Sequence, residues 1–158
     1  MTLDRTDIKL LAALQNDASR TTAALAEEIG LSSTPCYRRQ RLLEEGGIIR
    51  RYVSLLDQDK LGLKVSVFVE VELTSQDDDA ISAFEEEVKR LPEVMECYLM
   101  TGDTDYLLRV VARDIGEYER FLKTKLTRVT AVRTIRSSFA LRRVVYKTAL
   151  PLELIEAG

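Results

Sequence analysis

Residues 21–45 read TTAALAEEIGLSSTPCYRRQRLLEE, and their interpretation decides the fold of the N-terminal part of the chain. Leu25 and Ile29 stand at i and i+4, the spacing of one helical face, and Thr21 is a ready N-cap before them. Gly30 is the stop, because the left-handed position that follows a helix suits glycine. Leu31-Ser32-Ser33-Thr34 is a tight connection rich in capping residues, with Ser32, Ser33 and Thr34 as alternative caps for the next helix. Pro35 fits the first turn of that helix, where its missing N–H costs nothing. The helix runs from about Pro35 to Glu45 and stops at Gly46-Gly47. Two short helices joined by a short turn, the second rich in arginine, form a helix-turn-helix. Ala26 is small where the helices must approach, and Leu25, Ile29, Leu31, Cys36 and Leu43 supply a shared core.

Upstream, Asp4 can cap a helix whose face carries Ile8, Leu11 and Leu14, with Leu10 beside it, and Asn16-Asp17-Ala18-Ser19 breaks the pattern as a turn. Downstream, Ile48, Ile49, Tyr52, Val53, Leu55 and Leu56 suggest an extended strand leading away. Residues 33–51 hold Arg38, Arg39, Arg41, Arg50 and Arg51 against Glu44 and Glu45 only. A guanidinium fork binds phosphate and base oxygens bidentately, so arginine at all five positions favours nucleic-acid contact over a merely solvated helix face.

The rest of the composition narrows the function. The 158 residues carry 23 Lys and Arg against 26 Asp and Glu, a net charge of −3, which excludes a wholly basic nucleic-acid binder but not a local patch. There is no histidine, so the commonest general base and metal ligand are missing. Cys36 and Cys97 are far apart, with neither zinc-site nor disulfide spacing. No signal peptide or membrane span is evident, and a cytoplasmic binding protein is expected rather than an enzyme.

Residues 65–73 alternate with period two, placing Val65, Val67, Val69, Val71 and Leu73 on one face of a strand. Residues 74–79 form a turn and an acidic helix start, and Asp77, Asp78 and Asp79 lack the spacing of a calcium loop. Ile81, Phe84, Val88 and Leu91 make a helical stripe that ends at Pro92. Strands over Val94–Met100 and Tyr106–Ala112 flank the hairpin loop Thr101-Gly102-Asp103-Thr104-Asp105. A helix with Ile115, Tyr118, Phe121, Leu122 and Leu126 follows, then one long strand from Ala131 to Val145. The order βαββαβ is the ferredoxin-like arrangement, with both helices on one sheet face. The other face is expected to be apolar and covered by a second subunit.

Leu3-Asp4-x-x-Asp7-x-x-Leu10-Leu11, Leu25-Ala26-x-x-Ile29-Gly30-Leu31-Ser32, Thr34-Pro35-Cys36 and Arg39-x-Arg41-x-Leu43-Glu44-x-x-Gly47-Ile48-Ile49 together resemble the Lrp/AsnC family of transcriptional regulators. The second half is similar too, in Pro92-Glu93-Val94, in Met100–Leu108 with its Gly-x-x-Asp-Tyr hairpin, in Ser137-Ser138-Phe139 and in Thr148-Ala149-Leu150-Pro151-Leu152. The likeness covers residues 3–152. One departure is Gln40, on the inward side of the second helix where the family usually has Val. A buried amide needs partners.

The expected fold is α+β: an N-terminal, winged-helix-like helix-turn-helix domain over residues 1–50, a strand or linker over 51–63, a ferredoxin-like effector and oligomerisation domain over 64–152, and a tail over 153–158. Expected DNA contacts are Ser32, Ser33, Thr34, Tyr37, Arg38 and Arg41, with Arg50 and Arg51 on phosphates. The resemblance implies a free amino acid as effector, bound near the hairpin where dimers meet. An ammonium needs a carboxylate and a carboxylate needs backbone N–H groups, so Asp103, Asp105 and the turn at Gly102 are candidates. Leu99, Met100, Thr101, Tyr106, Ser137 and Ser138 complete the set; the alternative is that Gly102, Asp103 and Asp105 only make a tight turn. The resemblance further implies an operator in double-stranded DNA, no cofactor beyond the amino acid, and a homodimer assembling to a tetramer or octamer. The competing function is a ligand-binding adaptor of ferredoxin-like fold without sequence-specific DNA binding.

Overall fold

The computed structural model describes residues 2–129 and 131–155. They form two compact units. One comprises the residues up to Leu55 together with those from Val144 onward, and the other spans Leu56–Arg143.

The helical unit contains α1 (Arg5–Asn16), α2 (Thr22–Ile29) and α3 (Ser33–Glu45). Asp4 and Asp7 form a capping box at the start of α1: Asp7 N–H donates to Asp4 Oδ1 at 2.8 Å and Asp4 N–H to Asp7 Oδ2 at 3.1 Å. Thr21 caps α2 through the Ala24 N–H. Gly30 closes α2 at φ 74°, with Leu31 N–H donating to Ala26 O, the hydrogen bond of a Schellman stop. α3 starts at Ser33, two residues before the Pro35 expected. Ser32 takes the N-cap position without a side-chain cap bond, and Pro35 falls at the third helical residue, still within the first turn. Leu10, Leu25, Cys36 and Leu43 are almost fully buried at the centre of the three helices.

The expected strand over residues 48–56 is not formed: no ladder partner meets it among the described residues, and no wing follows α3. Tyr52, Val53, Leu55 and Leu56 are exposed. An alternating apolar pattern specifies an extended chain, but a strand also needs a neighbour to accept its hydrogen bonds. The C-terminal segment belongs with this unit rather than with the residue 64–152 domain expected from sequence. Leu150 exchanges two hydrogen bonds with the Gln15 side chain, N–H to Oε1 at 2.7 Å and Nε2 to its carbonyl at 3.2 Å. Leu152, in a short 3₁₀ turn, packs on the helical core. Of the expected tail, residues 156–158 lie outside the described set.

The sheet unit contains β1 (Val65–Leu73), α4 (Asp78–Val88), β2 (Val94–Leu99), β3 (Tyr106–Ala112), α5 (Ile115–Thr124) and β4 (Val132–Phe139). The antiparallel sheet runs β2-β3-β1-β4. Val67, Val69 and Val71 pair with Val110, Leu108 and Tyr106, and these six side chains pack with Phe84, Val88, Tyr118 and Phe121 of α4 and α5. The alternation foreseen for β1 therefore holds.

Two expectations fail here. β4 ends at Phe139 rather than Val145: Ala140 N–H still donates to Ser66 O at 2.9 Å near the start of β1, and among the described residues no strand pairs with the segment beyond; Leu141 and Val144 there are exposed. The helix-free face is not a plain apolar sheet. Phe68, Tyr98 and Leu107 share it with Arg109, Glu96, Glu70 and Arg136, by register with their buried neighbours. Arg109 pairs with Glu96 at 2.9 Å, and Arg136 with Glu72 at 2.7 Å. Among the described residues no helix is long and apolar enough to cross a membrane.

Candidate nucleic-acid interface and ligand pocket

The arginines of α3 and its exit have three different fates. Arg39 turns back to α1, and one of its guanidinium nitrogens meets Asp4 Oδ2 at 2.6 Å and Asp7 Oδ1 at 2.8 Å. The hydrogen bond from the Asp7 N–H, then that from Arg39, hold the Asp4 carboxyl below its usual range. The Asp7 and Asp4 carboxylates raise Arg39 in turn. Among the described residues Asp7 is the one buried charged side chain of this core, and Arg39 neutralises it. Arg39 thus locks α3 onto α1 and is not free for a ligand.

Arg41 lies along its own helix, paired with Glu44 at 3.3 Å and Glu45 at 3.1 Å. Such exposed pairs are worth only a few tenths of a kcal/mol, so a phosphate can displace them. Arg38, Arg50 and Arg51 carry no ion pair among the described residues and are exposed, as are Ser32, Ser33, Thr34 and Tyr37. The exposed N-terminal half of α3 therefore brings together Ser32, Ser33, Thr34, Tyr37 and Arg38, with Arg41 one turn further along. Its amide dipoles add positive potential for phosphate at that end.

Gln40 resolves its own anomaly. Its Nε2 donates to Tyr52 Oη at 2.8 Å and to Glu44 Oε1 at 3.3 Å, and Tyr52 O–H donates to the same Glu44 oxygen at 2.9 Å. The amide is satisfied locally and ties the chain leaving α3 back to the helix, which stays seated on Cys36 and Leu43. Burial pushes the Cys36 thiol up, so at neutral pH it is a core residue and not a thiolate.

In the sheet unit, a pocket of about 360 Å³ opens beside the hairpin, at the lower end of the range for small-molecule sites. Leu99, Met100, Gly102, Asp105 and Tyr106 line it, joined by Leu73, Gln76 and Ile81, which the sequence did not single out. Asp105 is occupied: Oδ2 accepts from the Leu73 N–H at 2.7 Å and Oδ1 from Gln76 Nε2 at 2.6 Å. Gly102 sits at φ 115°, a conformation nearly closed to other residues, with open space where a side chain would project. Both Asp105 oxygens are thus engaged within the fold, and Gly102 has the backbone conformation that the turn needs. Tyr106 is buried against Phe84, with ring centroids 4.5 Å apart, and its O–H donates to Glu85 at 2.9 Å. Burial, reinforced by Glu85, raises its pKa well above the normal range.

Thr101 and Asp103 are exposed in the loop but outside the pocket lining. Ser137 and Ser138 are not brought to it. They lie on β4, beyond β1 from the hairpin strands, and face opposite sides of the sheet. Ser137 shares a hydrogen bond with Tyr118 Oη.

A second pocket of about 310 Å³ shares Leu99 and Tyr106 and runs between α4 and β2 past Cys97. Burial and the Glu85 carboxylate push the Cys97 thiol up to about 11, so it is no nucleophile at neutral pH.

Comparison with known proteins agrees with both halves. Residues 3–44 match the AsnC-type helix-turn-helix domain, and residues 66–150 match the Lrp/AsnC ligand binding domain. The Bkd operon transcriptional regulator of Pseudomonas aeruginosa is 45% identical over 150 residues, covering 95% of this chain and 98% of that protein. The glutamate uptake regulatory protein of Zymomonas mobilis is 41% identical over 150 residues, covering 95% and 91%. Among solved structures, a transcriptional regulator of Neisseria meningitidis in complex with L-Met superposes with a TM-score of 0.91 at 38% identity, covering 96% of this chain and 97% of the other. With a matching DNA-binding half, a matching ligand-binding half and full-length relatives, the chain belongs to the Lrp/AsnC family of transcriptional regulators.

Proposed function

We propose that the chain is a sequence-specific DNA-binding transcriptional regulator of amino-acid metabolism or transport, and that a free amino acid sets its affinity for its operator. The observation that carries this is the division of labour on α3. Arg39 fixes the helix to α1 through two carboxylates, while Tyr37 and Arg38 stand exposed on its outer side with no partner among the described residues. A rigid helix with free arginine at its N-terminal end is what major-groove readout needs. In this reading Ser32, Ser33, Thr34, Tyr37, Arg38 and Arg41 meet bases and nearby phosphates, and Arg50 and Arg51 meet phosphates. The chain acts in the cytoplasm, as a binder and not a catalyst.

Two copies pair through the mixed sheet face, where Phe68, Tyr98 and Leu107 supply apolar contact, and dimers associate further. The amino acid occupies the hairpin pocket where dimers meet, with backbone N–H groups of the turn around Gly102 for its carboxylate and Asp105 for its ammonium. Asp103, Thr101, Ser137 and Ser138 reach it only across such a contact. The likeness to regulators of glutamate uptake and to an L-Met complex supports this ligand class.

The test is a thermal-shift panel of the twenty amino acids, followed by operator selection from random duplexes with and without the hit. A ligand at about 100 times its dissociation constant stabilises by about 2.7 kcal/mol, which is readily seen. No enriched duplex, with binding that ignores salt, would return the chain to the adaptor reading. No shift with any amino acid would remove the pocket assignment and leave the DNA assignment standing.

A further inference from the structure

The Gln15 side chain holds the backbone of a residue 135 positions away. Its Oε1 accepts from the Leu150 N–H at 2.7 Å and its Nε2 donates to the Leu150 carbonyl at 3.2 Å, the paired hydrogen bonds that a neighbouring strand would supply. The Leu150 side chain is itself exposed, so the fastening is through the backbone. Two residues on, Leu152 packs against the core of the helical unit. Chain termini fray unless they are tied down, and this one is tied twice. Residues 141–149, between β4 and this anchor, form neither helix nor strand. The chain thus leaves the helical unit near Leu55 and returns to it near Val144. At its other end the returning stretch is continuous with β4, which reaches the wall of the hairpin pocket. Leu73 lines that pocket, its N–H is held by Asp105 Oδ2 at 2.7 Å, and its register partner on β4 is Val132. Beside it, Thr74 N–H donates to Ala131 O at 2.7 Å. From there β4 follows β1 to Phe139, which meets Tyr118 edge-on with ring centroids 5.3 Å apart. One continuous stretch, residues 131–152, therefore begins beside the pocket wall and ends on α1.

We propose that residues 141–152 are a strap that carries the state of the hairpin pocket to the DNA-binding helices, with Gln15 as the residue that fastens it. The proposal rests on the reading of the chain as an amino-acid-responsive regulator and names the segment through which the response passes. Units joined by one linker reorient freely, and a second, fastened crossing removes that freedom. Energetic coupling between distant sites is carried by rigid elements and chains of hydrogen bonds. Here the chain of contacts is Asp105 to the Leu73 N–H, β1 to β4 across the ladder, and β4 into the strap. Apolar burial of Leu152 is non-directional and tolerates sliding, whereas the paired bonds to Gln15 fix the register of the strap on α1. Gln15 is not among the residues proposed to meet DNA, so the strap acts on the placement of the helices and not on their contact surface.

The experiment measures by fluorescence anisotropy the affinity of the full chain for a duplex that wild type selects from a random pool, with and without an equimolar mixture of the twenty amino acids. Wild type is expected to change affinity by about fivefold or more on adding the mixture, the lower end of allosteric coupling. Gln15→Ala removes both bonds to Leu150. Without amino acids it is expected to bind within about twofold of wild type, and with them to lose most of the response. Amide hydrogen exchange over residues 148–153 is expected to quicken in this variant while that of β1 keeps the wild-type rate. Gln15→Glu retains the bond from the Leu150 N–H and is expected to respond between the two; it stands in for Gln15→Ala should that variant fail to fold. A full response in Gln15→Ala overturns the strap alone, as does unchanged exchange over 148–153. Weaker binding without amino acids, in step with a lower melting temperature, would make the strap a prop for the helices and overturns it too. A wild type that selects a duplex but ignores the amino acids overturns the effector reading together with the strap, and one that selects no duplex overturns the DNA reading as well.

Discussion

On α3, Tyr37 and Arg38 are exposed and their side chains hold no ion pair or hydrogen bond among the described residues, while Asp105 in the sheet unit already accepts from the Leu73 N–H and from Gln76. The helical unit offers a surface that is finished before any ligand arrives. The sheet unit offers a pocket whose Asp105 carboxylate is already engaged by two donors of the fold. A prepared surface costs its partner little reorganisation, which suits recognition of a rigid duplex. A pocket that must trade internal bonds for ligand bonds couples occupancy to its own geometry, which is what a sensor requires. The same contrast appears between adjacent arginines, since Arg39 is held within the fold by two carboxylates and Arg38 is exposed with no ion pair among the described residues.

The adjacent pair gives the largest expected effect. Arg39→Ala leaves the buried Asp7 carboxylate without its counter-charge and should cost about 2–3 kcal/mol of stability in the helical unit, seen as a melting temperature several degrees lower. Arg38→Ala should leave melting unchanged and weaken operator binding by about 1–3 kcal/mol, roughly tenfold to a hundredfold, by fluorescence anisotropy. If the two variants exchange phenotypes, the division of labour on α3 is wrong.

Asp105→Asn sharpens the comparison from the other side. It should lower stability by about 1 kcal/mol, through the weakened bond to Leu73, and also abolish the thermal shift produced by the effector. A variant that loses the shift at unchanged basal stability would make Asp105 a ligand group without an anchoring role. Tyr52→Phe deletes the hydroxyl that bridges Gln40 and Glu44 and should cost about 0.5–1 kcal/mol, with operator affinity falling less than threefold by anisotropy.

The smallest effect concerns pH. Asp4 is held below its ordinary value of 3.8 by the Asp7 amide and Arg39. A depressed folded pKa gives stability that is present above 3.8 and is lost as pH falls through the lower, folded value. The helical unit should therefore lose stability on acidification, and acid titration of Asp4→Asn followed by circular dichroism should show a shallower limb. A titration as steep as that of wild type would put the acid sensitivity elsewhere.

What sequence alone determined is local. Asp4, Thr21 and Gly30 bound α1 and α2 because capping joins residues at most a few positions apart. The ends of β1 and β3 follow from period-two alternation and from the hairpin glycine and aspartates. The exposure of Ser33, Thr34, Tyr37 and Arg38, the proposed DNA contacts, was legible because the outer face of a short helix is a local pattern. Only tertiary structure decided the rest. Arg39 reaches Asp4 and Asp7 from more than thirty residues away, and no spacing rule marks a counter-ion at that range. Nor did spacing mark Gln15 as the clamp for Leu150, or Gln76 as the group that guards Asp105. The same limit explains the strand expected over 48–56 that does not form and the one expected to run on beyond Phe139. Apolar alternation is a property of one segment, whereas a ladder hydrogen bond belongs to two, and only the folded chain decides which segments meet.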